Sequence, residues 1–409
     1  MIRRQLSIFL VCAISLIVSF TSCHRHSQNE DVRLERTVVV YMAAENSLGG
    51  SFHQQDIDEM VQAAGDIAPN CKLIVYVDDM ELPRILSVEH QAGRRPTCKV
   101  AHMYDAEQNS GDVATLRTVM EWVIDNAEAK SYGLVFWSHG DAWLPAKAPV
   151  MRSICVDNER NSGSNSGSKM EIADVAKVLA GFPRLEFIMF DACFMQTIEV
   201  AYELRHVTKY IIASPAEIPN PGAPYECMVK PMFSQPLDAE GVIDAYYRLY
   251  NDNVVSVWPS YPERSERYGI SLSVIDCDWL DELADVTQHM LLKYVTPGEG
   301  IYLRGVQRYY PLSSRYRPEY HDMNGVMRRV ITADDDYTSW RRVYDCAVPY
   351  RCSTPWWYSN DAYTQYVDMD NYGGVSCYVP QQSAVYTKLN ESFRSTSWYE
   401  VSGWAQLGW

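Results

Sequence analysis

The chain has 409 residues, 47% of them apolar, and carries 52 acidic against 36 basic side chains for a net charge of −16. The apolar share is that of a globular protein and excludes a disordered chain, while the acidic balance argues against nucleic acid as a partner and mildly favours cationic substrates. The length is too great for one small core and suits a large domain with additions.

The N-terminus reads Met1-Ile2-Arg3-Arg4, continues in an apolar stretch over 8–20 and reaches Thr21-Ser22-Cys23. A basic start, a short apolar stretch and small residues before a cleavage point predict a secretory signal over 1–22, and the stretch is shorter than the roughly 20 residues a membrane span needs. These residues resemble a bacterial lipobox, with Phe20 where leucine is usual. On that reading Cys23 is lipidated, 23–36 form a polar tether, and the protein is anchored at the bacterial cell envelope (outer membrane or cell surface) without spanning a membrane.

Residues 37–42 read as a buried strand, followed by a helix with Ile57, Met60, Val61 and Ala64 on one face. A second buried strand occupies 72–77, and 85–89 and 99–103 form shorter, more exposed ones. Leu116, Val119, Met120 and Val123 mark the next helix, which leads into a strand over 132–137. The stretch 145–151 is irregular and 157–168 is rich in Ser, Asn and Gly, which predicts a mobile surface loop. Ile172, Val175, Ala176 and Leu179 face one way on a crossover helix into the strand 185–190. A helical pattern through Met195, Ile198, Ala201 and Leu204 follows, then a strand at 210–214 and a Pro-rich loop at 218–225. Continuous apolar strands alternating with amphipathic helices predict an α/β domain over 37–235, a three-layer α/β/α sandwich on a mainly parallel sheet.

Residues 236–409 read as a C-terminal extension that adds helices and partly continues the sheet, with strands at 269–275 and 374–379 and a helix through Leu280, Leu283, Ala284 and Leu291. The aromatic stretch 337–372 includes Trp340, Trp356, Trp357 and Tyr358. Large aromatics of this kind fill a core or a domain contact more often than they present sugar-binding platforms.

Two strand ends carry chemistry. The strand 132–137 closes in Ser138-His139-Gly140-Asp141, and 54 positions beyond His139 lies Cys193, in Asp191-Ala192-Cys193-Phe194-Met195 after the strand 185–190. Open α/β sheets build sites outside the carboxyl ends of their strands, and a Cys with a His distant in sequence is the layout of a cysteine hydrolase. Amide hydrolysis through a thiol needs a thiolate, a proton donor for the leaving amine and donors aimed at the oxyanion. His139 suits the acid–base role. The helical pattern after Cys193 places the thiol at a helix N-terminus, which would lower its pKa. The N–H groups of Gly140 and Cys193 are the candidate oxyanion donors. Either residue alone would read as structural; adjacent strand ends make the pair.

No HExxH, CxxC or Gly-rich phosphate loop occurs, so zinc and nucleotide chemistry have no support and no metal ligand is assigned. His24-Arg25-His26 belongs to the tether, and Asp78-Asp79 reads as a solvated turn. Of 11 cysteines, Cys12 leaves with the signal and Cys23 takes lipid; the odd remainder permits one functional thiol with others paired. Cys346 and Cys352 are close enough for a loop bridge, whereas Cys71, Cys277 and Cys377 sit in or beside apolar runs, where Cys is commonly a small hydrophobe.

The runs Val38-Val39-Val40-Tyr41-Met42-Ala43-Ala44-Glu45-Asn46, Trp137-Ser138-His139-Gly140 and Phe190-Asp191-Ala192-Cys193-Phe194-Met195 resemble the clostripain family of cysteine peptidases. Glu199-Val200-Ala201-Tyr202-Glu203-Leu204 and the strand 211–214 with its Pro-Gly exit loop match too. The resemblance covers most of 37–231 and is weaker around 269–275 and 374–380. Phe194 stands where a smaller aliphatic residue is common, and Ser138 where an acid often precedes the His.

The resemblance implies a caspase-like fold shared with gingipains, legumains and separases, with His139 and Cys193 as the catalytic pair. It implies cleavage after Arg or Lys through a thioester acyl-enzyme, an acidic pocket at Asp191, and Ser214 and Glu217 as further substrate-binding candidates. It requires no cofactor and admits calcium, on which some members depend. Members are often matured by a cut between the two catalytic residues, and the loop 145–169 offers Lys147, Arg152, Arg160 and Lys169, Lys147 first because Ala148 follows it. The implied partners are peptides with basic residues and, through Cys23, a membrane; the chain would act as a monomer. A cysteine transpeptidase or ligase on the same fold and a non-catalytic, lipid-anchored binding protein are the alternatives.

Overall fold

Val38-Val39-Val40-Tyr41-Met42 is apolar at every position, which suits a strand covered on both faces. In the computed structural model it lies in the middle of a nine-stranded sheet. Val38, Val40 and Met42 enter one core, and Val39, Tyr41 and Ala43 enter the other. The structure describes residues 33–90, 94–144, 153–158, 167–253, 255–257, 260–261, 263, 265–309, 320–359 and 363–409. The signal segment, Cys23, Lys147, Arg152 and Arg160 lie outside the described residues.

The strands in chain order are β1 (Leu34–Ala43), β2 (Cys71–Asp78), β3 (Arg84–Glu89), β4 (Thr97–Met103) and β5 (Ala129–Trp137). A small hairpin of β6 (Ile154–Asp157) and β7 (Ser168–Met170) precedes β8 (Leu185–Asp191), β9 (Thr208–Ala213) and β10 (Ser271–Asp276). Then come β11 (Tyr320–Asp322), β12 (Tyr350–Ser353), the hairpin β13 (Trp356–Ser359) and β14 (Tyr363–Tyr366), and β15 (Ser376–Tyr378). The large sheet runs β12-β10-β9-β8-β5-β1-β2-β3-β4. Its centre, β9-β8-β5-β1-β2, is parallel, and both flanks are antiparallel.

Helices cover both faces, which gives the three layers. α1 (Phe52–Gln62) packs with α5 (Tyr225–Phe233) and α6 (Ala239–Asp252) on one side. On the other lie α2 (Val113–Asn126), α3 (Ile172–Leu179), α4 (Ile198–Leu204), α7 (Leu280–Tyr294), α8 (Met323–Val330) and α9 (Asp334–Ala347). The strand predicted near 374–379 is β15, and it pairs with β11 outside the large sheet. Much of the aromatic stretch is core: Trp340, Tyr344 and Trp357 are at most 1% exposed, and the Trp340 indole N–H donates to Thr287 Oγ1 at 2.9 Å, whereas Tyr366 is 76% exposed. Among the described residues no helix is long and apolar enough to cross a membrane.

Two sequence expectations fail. Cys346 on α9 and Cys352 on β12 form no bridge, while Cys71, Cys155, Cys277 and Cys377 are buried among apolar neighbours. Asp78 and Asp79 are not a solvated turn, for they are 0% and 5% exposed. The Arg84 guanidinium donates to both Asp79 oxygens at 3.0 and 2.8 Å, and His53 Nε2 lies 3.2 Å away. Burial pushes the Asp79 carboxyl up, but these hydrogen bonds more than reverse the push and hold it well below the usual carboxylate range.

Asp79→Ala leaves the half-buried Arg84 guanidinium with only the exposed Glu81 carboxylate at 3.7 Å and should cost about 2 kcal/mol near neutral pH. A carboxylate with a lowered folded pKa stabilises the protein above its unfolded value, and that contribution is lost as pH falls towards the folded one. The gap between wild type and variant in thermal unfolding should therefore narrow below about pH 4.

Candidate active site

β5 and β8 are parallel neighbours, with Trp137 beside Asp191 in the register. Both chains therefore leave the sheet at the same level, and Ser138-His139-Gly140 emerges next to Ala192-Cys193. The two turns are in contact. A Cβ on Gly140 would fall 2.8 Å from Met195 Sδ, 2.9 Å from the Cys193 carbonyl oxygen and 3.0 Å from Ala192 Cβ. Only a residue without a side chain fits there. Beyond Gly140 the chain is tied down by Asp141 N–H, which donates to Ser153 O at 2.9 Å.

Cys193 does not sit at a helix N-terminus. Phe194 has a left-handed φ of 62°, which interrupts helical geometry, and α4 begins only at Ile198 behind a Thr197 cap. The dipole argument fades within the first turn of a helix and does not reach the thiol. The nucleophile turn is instead pinned by backbone bonds, Phe194 N–H to Ala216 O at 2.9 Å and Gln196 N–H to Ser214 O at 3.0 Å. The Gln196 amide also donates to Ser273 O at 2.7 Å, and Ser376 N–H donates to Gln196 O at 2.9 Å.

The Cys193 thiol is half-buried, and its sulfur accepts the Ile218 N–H at 3.3 Å. His139 Nε2 lies 2.8 Å from Ser47 Oγ. Ser47 belongs to the turn after β1, which the Asn46 amide holds by donating to Ala43 O and Val156 O, each at 2.8 Å. Sequence reading missed Ser47; its only signal was a hydroxyl residue just past the end of a central parallel strand.

His139 and Cys193 line one cleft together with Asp56, Asp191, Gly222 and Tyr268. Asp191 takes hydroxyl donors from Tyr246 at 3.0 Å and Tyr225 at 3.2 Å, yet burial pushes its carboxyl up to about 6. Asp56 accepts the Trp137 indole N–H at 2.5 Å, and burial with the nearby Asp191 charge pushes it up to about 9. Burial and a hydrogen bond with Glu226 raise Glu59 to about 8. The cleft is thus lined by two carboxyl groups, Asp56 and Asp191, that burial pushes toward the protonated form. Asp56 was not legible, because the apolar periodicity of α1 marks Ile57 and Met60 and is silent about a carboxylate on the same face. Ser214 and Glu217 are buried but not among the residues lining the cleft; the Ser214 hydroxyl donates to Ala216 O and accepts from Ala216 N–H, both at 3.0 Å.

The arrangement combines a thiol, an imidazole oriented by a hydroxyl, close backbone N–H groups and two buried carboxylates. A profile of the clostripain family (peptidase C11) matches residues 40–409. A secreted C11 cysteine protease from Bacteroides thetaiotaomicron, solved with an irreversible peptide inhibitor, is 31% identical with a TM-score of 0.78, over 91% of this chain and 99% of that one. An inactive zymogen C11 protease from Parabacteroides distasonis is 29% identical with a TM-score of 0.73, over 90% and 97%. Clostripain of Hathewaya histolytica is 27% identical over 233 residues, 50% of this chain; the match spans only 43% of that relative's length.

Gly140→Ala must separate the two turns or deform one of them. Overpacking of this kind should cost about 1–3 kcal/mol in stability. It should also change the rate at which Cys193 is alkylated by iodoacetamide, measured by mass spectrometry of the intact chain. An unchanged alkylation rate and unfolding temperature would disprove the contact.

Proposed function

Because the chain belongs to the clostripain family, we propose that it is a cysteine endopeptidase that cuts peptide bonds after Arg or Lys. The reading is carried by one observation, the contact of the His139-Gly140 turn with the Cys193 turn at adjacent strand ends. Cys193 Sγ, as the thiolate, attacks the substrate carbonyl carbon. The N–H groups of Gly140 and Cys193 receive the oxyanion, the stabilisation that usually dominates acyl transfer. His139 gives its proton to the leaving amine, and the C–N bond breaks to leave a thioester on Cys193. His139 then takes a proton from water, whose oxygen displaces the thiol and releases the acid. Ser47 Oγ, 2.8 Å from Nε2, holds the imidazole in one orientation.

The basic specificity rests on Asp191 and Asp56 together. A Lys or Arg side chain entering the cleft would convert two mutually repelling carboxyl groups into a paired cluster, and mispairing a buried charge costs several kcal/mol. Self-processing follows from the 145–169 segment. Lys169 is half-buried in β7, paired with β6, where a protease cannot draw the chain into its own cleft. That leaves Lys147, Arg152 and Arg160, and the P. distasonis neighbour is itself described as an inactive zymogen. Lipid on Cys23 would hold the enzyme at the cell envelope, in keeping with the secreted B. thetaiotaomicron relative.

Cys193→Ala should remain folded and lose about four orders of magnitude or more in hydrolysis of Arg and Lys fluorogenic peptides. N-terminal sequencing should find wild type cut after residue 147, 152 or 160, and Cys193→Ala uncut. A fully active single chain would end the self-processing proposal.

Asp56→Asn and Asp191→Asn should each lower kcat/KM for basic substrates by about a hundredfold. If both variants keep the preference, the specificity charge lies elsewhere, with Glu217 next to test. Stability should move the other way in Asp56→Asn. A carboxyl whose folded pKa is raised favours the fold below its unfolded value and loses that contribution as pH rises through the folded one. The unfolding temperature of wild type should therefore drop between pH 5 and pH 8 more steeply than that of Asp56→Asn.

A further inference from the structure

The cleft crosses the edge of the sheet, and the strand order determines which wall each segment supplies. Five neighbouring strands run β10-β9-β8-β5-β1, each about 4.8 Å from the next. Because β10 is antiparallel to β9, its start lies at the edge where the parallel strands end. Tyr268 precedes β10, Ile218 follows β9, Cys193 follows β8, His139 follows β5, and Leu48 and Phe52 follow β1; all six line the cleft. Cys193 and His139 therefore occupy the middle, with Tyr268 and Ile218 on the Cys193 side and Leu48 and Phe52 on the His139 side. Two contacts bear out this order. The Ile218 N–H meets the Cys193 sulfur at 3.3 Å, and Ser47 Oγ, next in sequence to Leu48, meets His139 Nε2 at 2.8 Å.

The chemistry of acyl transfer gives the two sides different parts of the substrate. With His139 as the acid, the amine that departs is the one that receives its proton, so the residue after the cut bond lies on the His139 side. The acyl half, held on sulfur as the thioester, lies on the Cys193 side. The side chain after the cut bond thus meets the turn between β1 and α1.

That wall is apolar and held in place. Leu48 and Phe52 are both half-buried, packed in part against the core beneath α1 while they line the cleft. Asn46 Oδ1 accepts the Leu48 N–H at 2.9 Å, and Asn46 O accepts the Gly49 N–H at 3.1 Å. A Cβ on Gly49 would fall 1.9 Å from Ala44 O, so this turn closes tightly on the end of β1.

We propose that Leu48 and Phe52 form the subsite for the residue immediately after the cut bond, and that this subsite selects an apolar side chain. It rests on the reading of Cys193 as nucleophile and His139 as acid, and it adds a second determinant to the basic residue before the cut. Covering half-exposed apolar surface is favourable in proportion to its area, and apolar pockets discriminate between neighbouring side chains by about tenfold or more. The same preference ranks the candidate processing bonds, for Ala148 follows Lys147, whereas Ser153 follows Arg152 and Asn161 follows Arg160.

Internally quenched peptides of one sequence, varied independently before the cut (Arg, Lys, Leu) and after it (Leu, Ala, Gly, Asp), separate the two determinants, with mass spectrometry identifying the bond broken. The wild-type enzyme should cut ahead of Leu at least about tenfold faster in kcat/KM than ahead of Gly. In Leu48→Ser and in Phe52→Ser that ratio should fall at least about threefold, while the preference between Arg and Leu before the cut stays as in wild type. Each variant is read as a ratio, so a smaller fraction of folded enzyme does not change the result. Equal rates ahead of Leu and Gly in wild type overturn the proposal, as does a ratio that both variants leave unchanged. Wild type that prefers Leu after the cut but shows no preference for Arg or Lys before it would instead overturn the basic specificity of Asp191 and Asp56 and support this subsite.

Discussion

The parallel register of β5 and β8 is the constraint on which the site depends. Trp137 beside Asp191 sets the level at which both chains leave the sheet, and Gly133 beside Phe187 helps to hold it. A Cβ at Gly133 would fall 2.3 Å from the Phe187 ring, so the glycine lets that ring lie against the neighbouring strand. A slip of one residue would turn every side chain of β8 to the opposite face. Asp191 would then leave the layer that holds Tyr225 and Tyr246, and the Cys193 turn would no longer rest on Gly140.

The C-terminal half acts on the same point from the outside. Gln196 is held by Ser273 on β10 and by Ser376 on β15, and the Tyr378 N–H donates to Glu199 at 2.8 Å. The Phe194 ring, 2% exposed, packs near Tyr320 on β11. A left-handed φ at a bulky residue costs about 1–2 kcal/mol and persists only where the surroundings impose it. Tyr320, fully buried, is packing material at this turn. With the Ser273, Ser376 and Tyr378 hydrogen bonds it helps to keep the strained nucleophile turn in one conformation.

The central strands were legible because a strand covered on both faces must be apolar throughout, and β1, β2, β5 and β8 all read that way. The ends of β5 and β8 were legible for the same reason, since a His and a Cys interrupt continuous apolar runs. Groups placed by tertiary contact were not. Asp56 shares a helix face with Ile57 and Met60, and a carboxylate in an amphipathic pattern ordinarily faces water. Asp79 is buried because His53 and Arg84, from other segments, converge on it. Met195 fits the helical spacing of Ile198, Ala201 and Leu204, yet it is buried in the turn before the helix, so the pattern set the helix start too early.

The five parallel strands end at one edge of the sheet, and every one of those ends carries a polar or reactive group. β1 leads to Glu45, Asn46 and Ser47; β2 ends in Asp78; β5 leads to His139; β8 ends in Asp191 before Cys193; β9 leads to Ser214 and the Ile218 N–H that meets the thiol. Interstrand hydrogen bonds satisfy the backbone along the sheet, but past its edge the chains must find other partners. Burial there pushes Asp56, Asp78 and Asp191 upward together, so the edge stores repulsion that packing elsewhere offsets. On one side of the His139 turn lies the open cleft beside Cys193, and on the other the neighbouring carboxylates of Glu45, Asp78 and Glu107. Ser47 and Glu45, two residues apart on one turn, link the two.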